Sequence, residues 1–165
     1  MADTADSWSA WFDEHGAALV LIARHWVPPQ ADAEDVVQEA FVRFWKSRQR
    51  VEEPVAYLYT CVKRCALDWQ RGQRRRQNRD LAVARTEGEP LFIAKPEQEE
   101  RRLAVEAALR SLPVTQAEVL VMKLWGGLTF PQIAAALGTS PNTAASRYRY
   151  ALDKLRKRLT AEVLL

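Results

Sequence analysis

The sequence has few of the residues that build catalytic, metal or disulfide centres. Only two cysteines and two histidines occur among 165 residues, and both histidines lie far along the chain from Cys61 and Cys65. The cysteines are one helical turn apart, which does not readily meet disulfide geometry. We interpret them as small core residues, with a redox pair or half of a metal site as the weaker alternative. No glycine-rich phosphate loop, metal-ligand cluster or nucleophile motif is present, so we expect no enzyme activity, no metal and no cofactor.

Long apolar segments are also absent. No stretch approaches the roughly 20 residues of a membrane span, and the first six residues, MADTAD, lack the basic start and apolar run of a secretory signal. We therefore expect a cytoplasmic protein without a membrane span. Hydrophobic residues make up 48% of the chain, which is enough for packed cores, and the net charge of +3 conceals an uneven distribution of charge.

Helical periodicity runs through nearly the whole chain, and no alternating strand or hairpin pattern interrupts it. The first helix is predicted over about 7–26, the second opens with the acidic segment 32–35, and Pro54 begins the third. Capping boxes are predicted at 115–118 and 129–132. Glycine and proline residues break the pattern between about 80 and 96. The fold class is therefore all-α, with two small helical domains, 1–80 and 97–165, joined by a flexible linker, 81–96.

The strongest functional pattern lies near the end of the chain. A short helix, a turn at Gly138 and a longer helix capped by Ser140 form a helix-turn-helix. The second helix of such a motif presents its first turns to base edges in the major groove, and neighbouring side chains reach phosphates. The alternative is a plain helical hairpin with a solvated basic end. The candidate duplex-binding residues are Asn142, Thr143, Ser146, Arg147 and Arg149.

A second pattern is the basic end of the third predicted helix. Eight positive residues lie between positions 63 and 85, opposed by only two aspartates, and such a run is typical of a phosphate-binding surface. Aromatic side chains beside arginines can stack on unpaired bases. Core packing is the preferred alternative for Trp69 and an equal one for the two tyrosines. The candidates are Tyr57, Tyr59, Lys63, Arg64, Arg71, Arg74 and Arg75.

The third pattern is the polar face of the second predicted helix. Asp35, Gln38 and Glu39 form a compact patch there. Carboxylates add nothing to a surface that holds DNA, so a protein partner fits this patch better. The alternative is an ordinary solvated helix face, and the residues alone favour that alternative.

Taken together, these segments resemble the extracytoplasmic-function (ECF) group of the bacterial sigma-70 family of RNA polymerase sigma factors. Residues 32–41, DAEDVVQEAF, resemble the second conserved region of that family, and YLY at 57–59, ALD at 66–68 and the arginine cluster continue the match. Residues 112–159 resemble the fourth region. The first motif is quite specific, whereas the helix-turn-helix alone is shared by many regulators.

The resemblance implies a factor that directs core polymerase to specific promoters and assists their melting. Region 2, a domain of three or four helices over 1–80, would dock on core polymerase through Asp35, Gln38 and Glu39. The loop 47–53 and the third helix would capture the melted minus-ten element, where a base leaves the stack. Region 4, over 97–165, would read the minus-thirty-five duplex with its last helix. The implied partners are bacterial RNA polymerase core, promoter DNA and, as is frequent in the family, an anti-sigma factor.

Several positions depart from the family pattern. Tyr57 stands where the family often has Trp, Arg64 where it often has Asn, and Ala144, Ala145 and Tyr150 also differ. The promoter sequence therefore stays open. The competing hypothesis is a stand-alone helix-turn-helix regulator, which leaves the first half of the chain without a role. A helical enzyme that acts on nucleic acid is the weakest alternative.

Overall fold

The computed structural model describes residues 7–77 and 96–163 of the chain. All regular structure within these ranges is helical, which confirms the predicted fold class. The chain divides into two compact units between residues 91 and 92, and each is described by itself. Apart from Pro96, the predicted linker 81–96 lies outside the described residues, as do Arg79 and Arg85 of the basic run.

The described part of the first unit, residues 7–77, contains three α-helices and one 3-10 turn. They are α1 (Trp8–Ala23), α2 (Gln30–Ser47), the 3-10 turn Arg48–Arg50, and α3 (Pro54–Gln77). The Ser7 hydroxyl caps α1 by accepting a hydrogen bond from the Ala10 amide at 3.1 Å. Pro54 occupies the first position of α3, as predicted, because its fixed φ suits a helix start. Helices α2 and α3 pack along each other, and α1 packs against both.

An aromatic cluster fills the core of this unit. Phe41 and Phe44 of α2 are fully buried, and the Trp11 ring lies 5.0 Å from that of Phe44. Truncation of such a buried ring costs about 3–5 kcal/mol. The thiols of Cys61 and Cys65 are free and buried in the same core, which confirms their interpretation as core residues. Burial raises the pKa of Cys65 to about 11, so its thiol stays protonated near neutral pH and is unsuited to redox chemistry.

Residues 96–163, the described part of the second unit, form four α-helices. They are α4 (Pro96–Arg110), α5 (Val114–Leu124), α6 (Phe130–Leu137) and α7 (Pro141–Val163). Helices α5 and α6 pack on α7, and α4 packs on α5 and α7. The core of this unit is built mainly by buried aliphatic residues, namely Ala108, Leu109, Leu112, Val119, Leu120, Val121, Ile133, Ala144 and Ala151.

The predicted helix-turn-helix is confirmed as α6 and α7. Thr129 and Gln132 form the expected reciprocal capping box, and Gly138 ends α6 in the left-handed region at φ 65°. A residue with a Cβ is strained in that conformation, which explains the glycine. The Ser140 hydroxyl caps α7 by accepting from the Thr143 amide at 3.1 Å.

Two local predictions are wrong. Helix α1 ends at Ala23 rather than near Trp26, because the chain turns before the Pro28–Pro29 pair. The capping box predicted at 115–118 does not form. Helix α5 already begins at Val114 with Pro113 as its N-cap, so Thr115 lies inside the first turn and Glu118 is buried.

Candidate DNA-binding and protein-binding surfaces

The polar patch on α2 is exposed as predicted. Asp35, Gln38 and Glu39 all lie at the surface, while Val36 and Val37 between them are buried in the core. Helical spacing explains this division, because residues three and four apart share a face and their neighbours point elsewhere. The three candidate protein-binding residues thus share one solvent-facing stripe of a helix whose opposite side is anchored.

Arg43 joins this patch to α3. Its guanidinium lies 2.5 Å from the Glu39 carboxylate and 3.5 Å from the carboxylate of Asp68. Asp68 also lies 3.4 Å from Arg71 of its own helix. The result is a chain of charged groups that runs across the surface from α2 to the beginning of the basic end of α3.

The basic end of α3 presents most of its candidate residues to solvent. Arg64, Arg71, Arg74 and Arg75 are exposed, whereas Lys63 is half-buried with its ammonium 5.9 Å from the Trp26 ring. Exposed guanidinium groups can hold phosphate oxygens through charge-assisted hydrogen bonds. The arginines therefore meet the physical requirements of a phosphate-binding surface.

The two tyrosines of α3 differ in their exposure to solvent. Tyr59 is only 2% exposed, and burial raises the pKa of its hydroxyl. This position corrects the expectation that Tyr59 stacks on bases, because its ring is part of the core of the unit. Tyr57 is half-buried with its ring 6.3 Å from that of Phe44, so only part of the ring is open to a ligand. Trp69, for which core packing is the preferred interpretation, is also only half-buried.

The segment predicted as a loop between α2 and α3 contains an ordered turn. The Arg48 guanidinium lies 3.5 Å from the centre of the Trp45 ring and donates a hydrogen bond to the Trp45 carbonyl oxygen at 2.8 Å. A stacked arginine that also binds backbone holds the first residues of the turn against α2. The segment that the family resemblance assigns to base capture therefore starts from a fixed position.

Helix α7 presents a mixed polar face to solvent. Ala144 and Ala151 turn into the core, which leaves Asn142, Arg149 and Asp153 exposed on the other side. Ser146 and Arg147 are half-buried. The Asn142, Ser146 and Arg149 side chains supply both donors and acceptors, which base edges in the major groove require.

Two side chains of α7 already have partners, one in the cap of the helix and one in the helix itself. The Thr143 hydroxyl accepts a hydrogen bond from the Ser140 hydroxyl at 2.9 Å, so it belongs to the cap of α7. Asp153 lies 2.8 Å from Lys157 one turn later. Thr143 therefore positions the start of the helix in addition to any contact with phosphate.

Contacts with α6 fix the position of α7. The rings of Phe130 and Tyr148 meet edge to face at 5.6 Å. Lys123 of α5 places its ammonium 4.7 Å from the Phe130 ring and donates to the Leu128 carbonyl oxygen at 3.1 Å. These contacts hold the exposed face of α7 at a constant angle to the rest of the unit.

Sequence reasoning assigns no contact to two surface residues that have one in the structure. Tyr150 is 58% exposed and follows Arg149 directly, with the Arg149 guanidinium 5.9 Å from its ring. It lies four residues after Ser146, and this spacing could have placed it on the outer face. The bridging position of Arg43 had no comparable signal, because the pairing of α2 with α3 is a tertiary contact.

The described residues contain neither a metal-ligand group nor a membrane-spanning helix. Within 7–77 and 96–163, His, Cys, Asp and Glu side chains do not form a group of three or more that could hold a metal ion. In the same ranges, no helix combines the length and the apolar character needed to cross a membrane.

Comparison with protein families gives a match for each unit. The family model of sigma-70 region 2 matches residues 11–76, and that of sigma-70 region 4 matches residues 102–155. The first match spans α1 to α3, and the second includes the whole helix-turn-helix except the end of α7.

Two curated relatives match along most of their length. The ECF RNA polymerase sigma factor SigL of Mycobacterium tuberculosis is 31% identical over 155 residues, which cover 89% of this chain and 85% of SigL. The RNA polymerase sigma-E factor of Streptomyces coelicolor is 29% identical over 150 residues, which cover 89% of this chain and 82% of that protein.

Two solved structures are similar in fold. CnrH, in complex with the cytosolic domain of CnrY, has a TM-score of 0.61 at 25% identity and covers 93% of this chain and 88% of CnrH. The sigma factor RpoE of Bartonella quintana, in complex with the anti-sigma factor NepR, has a TM-score of 0.62 and covers 91% and 96% of the two chains. At 21% identity, the second likeness concerns the fold alone.

Proposed function

This chain belongs to the ECF group of the sigma-70 family of RNA polymerase sigma factors, and from that premise we propose which partner each of its surfaces binds. It directs core polymerase to specific promoters and assists their melting. The observation that carries this function is the presence in one chain of a region 2 unit and a region 4 unit. A stand-alone helix-turn-helix regulator would use only the second, so that alternative is not favoured.

The exposed patch of α2 is the surface that binds core polymerase. Asp35, Gln38 and Glu39 support this role because they are open to solvent on a helix whose other side is locked into the core. A rigid helix presents its side chains in a constant arrangement, which lowers the entropic cost of binding. Carboxylates on this surface also repel DNA, so the patch suits a protein partner.

The basic end of α3 and the turn before it bind the melted minus-ten element. Four exposed arginines support phosphate contacts, and the fixed Arg48–Trp45 pair supports base capture at the turn before α3. Single strands are held by such a combination of positive charge and aromatic surface. The residues assigned to this surface are Tyr57, Lys63, Arg64, Arg71, Arg74 and Arg75.

The exposed face of α7 reads the minus-thirty-five element as a duplex. Asn142, Ser146 and Arg149 carry the base contacts, and Thr143 and Arg147 contact the backbone. The helix-turn-helix arrangement supports this assignment, because the second helix of such a motif places its first turns in the major groove. The capped start of α7 and its packing on Phe130 give that helix the rigidity which base recognition requires.

Three further proposals concern the activity, the location and the regulation of the protein. It acts without catalytic activity of its own, in the cytoplasm, where core polymerase meets promoter DNA. An anti-sigma factor is a further proposed partner, because the Bartonella quintana sigma factor of similar fold was solved with one bound.

Reconstitution with bacterial core RNA polymerase tests the proposed function. Transcription from a promoter library should begin at sites that share two upstream motifs, and only when the chain is present. The double variant Gln38→Ala/Glu39→Ala should lose core binding, whereas Asp13→Ala/Glu14→Ala, an exposed acidic pair on α1, should keep it. Promoter binding without any affinity for core polymerase would instead establish a stand-alone regulator.

A further inference from the structure

The first residue of α1, Trp8, packs its ring on α2. Its ring centre lies 5.5 Å from that of Phe41 and 5.5 Å from that of Trp45, which it meets edge to face. The Ser7 hydroxyl caps α1 directly before Trp8, so the backbone at this position is fixed. Trp8 therefore joins a fully buried ring of the core, Phe41, to the half-buried ring of Trp45.

Trp45 in turn contacts the first residue of the 3-10 turn Arg48–Arg50. The Arg48 guanidinium lies 3.5 Å from the centre of the Trp45 ring, and it donates a hydrogen bond to the Trp45 carbonyl oxygen at 2.8 Å. A guanidinium at this distance is stacked on the aromatic ring. Trp8, Trp45 and Arg48 thus form a continuous stack of side chains from the start of α1 to the turn.

The turn has little packing of its own. None of its three residues is buried, and Gln49 and Arg50 are exposed. The Val51 amide donates to the Arg48 carbonyl oxygen at 3.4 Å, which is longer than the roughly 3 Å typical of such a bond. A segment with few buried contacts opens easily, so the position of this turn depends strongly on the contacts that Arg48 makes.

The orientation of the Trp45 ring is the point at which Trp8 acts on the turn. Trp45 is only half-buried, so the core does not fully enclose its ring. Trp8 meets that ring edge to face, and such contacts favour one relative orientation of two aromatic rings. Without the Trp8 ring, the Trp45 side chain would be free to change its orientation, and the guanidinium of Arg48 stacked on it would move as well.

We propose that Trp8 is a positioning residue for minus-ten recognition. Through the Trp45 ring it holds Arg48, and with it the turn Arg48–Arg50, in the arrangement that meets the melted strand. The inference rests on the proposed function, in which this turn captures a base of the minus-ten element. It extends that function to α1, a helix that carries neither the proposed DNA-binding surfaces nor the proposed core-binding patch.

Substitution of Trp8 tests this role in the holoenzyme, with a single-stranded minus-ten probe from a promoter that the reconstitution identifies. Trp8→Leu keeps apolar volume against Phe41 and removes the aromatic contact with Trp45. It should weaken probe binding about threefold to tenfold, which corresponds to the loss of one aromatic pair. It should also reduce discrimination between the probe and its single-base variants, because a displaced turn recognises bases less well. Trp8→Phe, which keeps an aromatic ring, should restore most of both.

A combination with Arg48→Ala shows whether Trp8 acts through Arg48. If it does, Trp8→Leu should cause little further loss of probe binding in a chain that already carries Arg48→Ala. The stability control is Ala18→Gly, at a buried position of α1 that carries no ring. This control should lower the thermal midpoint of the free protein and leave probe binding unchanged. Both Trp8→Leu and the control should keep the affinity for core polymerase.

The possible outcomes are distinguishable. Probe binding unchanged by Trp8→Leu would overturn the inference, and so would an equal loss with and without Arg48→Ala, since Trp8 would then act independently of Arg48. Equal losses of probe binding in Trp8→Leu and Ala18→Gly would also overturn it, because both would follow from stability alone. Failure of the unsubstituted chain to bind core polymerase would refute the proposed function itself.

Discussion

Arg43 of α2 reaches across to Asp68 of α3, with its Nη1 3.5 Å from the Asp68 Oδ2. The first helix carries the proposed core-binding patch, and the second carries the proposed minus-ten surface. The ion pair therefore links the two surfaces directly, and Glu39 is joined to it through the same guanidinium.

A double-mutant cycle on Arg43 and Asp68 measures what this pair contributes. Both side chains are about half exposed, so solvent screens their attraction, and we expect a coupling of about 0–1 kcal/mol in the free energy of unfolding. Chemical denaturation of the wild type, Arg43→Ala, Asp68→Ala and the double variant checks this. A coupling well above that range would mean that the pair is a principal support of the α2–α3 packing.

Arg149→Ala should weaken binding to the upstream promoter element and relax its base preference. A bidentate contact between an arginine and a guanine provides about 1–3 kcal/mol of discrimination. Binding of the holoenzyme to a set of duplexes with single-base changes measures this. Lys154→Ala is the control, because that exposed lysine lies further along α7 and should affect all sequences alike. An equal loss on every duplex for Arg149→Ala would restrict this residue to phosphate contacts.

Neutralisation of Arg74 and Arg75 should reduce the salt dependence of minus-ten binding. For each phosphate that the protein no longer neutralises, the slope of log affinity against log salt concentration falls by about 0.7 on a single strand. Titration of the holoenzyme with a single-stranded minus-ten probe at several salt concentrations gives the slope for Arg74→Gln/Arg75→Gln. The exposed pair Arg101→Gln/Arg110→Gln on α4 provides the control. Equal slopes in the variant and the wild type would remove both residues from the interface.

His15 should make the fold sensitive to mild acid. Its side chain is buried against Trp11, with ring centres 5.3 Å apart. Burial lowers the pKa of His15 below its usual 6.5, and the carboxylate of Glu14, 3.8 Å away, only partly opposes this. As the pH falls through 6.5, the unfolded chain binds a proton before the folded chain does. The contribution of His15 to the free energy of unfolding is therefore present at higher pH, and it is lost as the pH falls towards the lowered pKa of the folded state.

The variant His15→Phe isolates this contribution. Denaturation at a series of pH values from about 7.5 to about 5 should show a smaller loss of stability in the variant than in the wild type. The other titrating groups remain in both proteins and cancel in the difference. Parallel curves for the two proteins over this range would show that His15 does not control the acid sensitivity.

The fold was largely predictable because its signals are local. Helical periodicity, Pro54 at the start of α3, the Thr129 capping box and the glycine turn at Gly138 all act within a few residues. The capping box expected at 115–118 did not form, because the local motif does not by itself decide where a helix begins. A helix start is decided by the whole preceding backbone, and Pro113 begins α5 earlier than the sequence motif suggests.

The candidate surfaces were predictable only in part. The exposure of Asp35, Gln38 and Glu39 follows from helical spacing, and so does the outer position of Arg149. Tyr59 is predicted on the DNA surface and lies in the core, since a tyrosine is compatible with both places and its neighbours in space decide between them.

The sequence by itself determined that this chain is helical, that its charges are segregated, and that it carries the motifs of a sigma factor, because helix formation, capping and motif spacing depend on residues close together in the chain. Only the tertiary structure decided that Arg43 meets Asp68 and that Tyr59 is buried. These relationships depend on how α2 lies along α3, and that packing joins Arg43 to Asp68, 25 positions further along the chain.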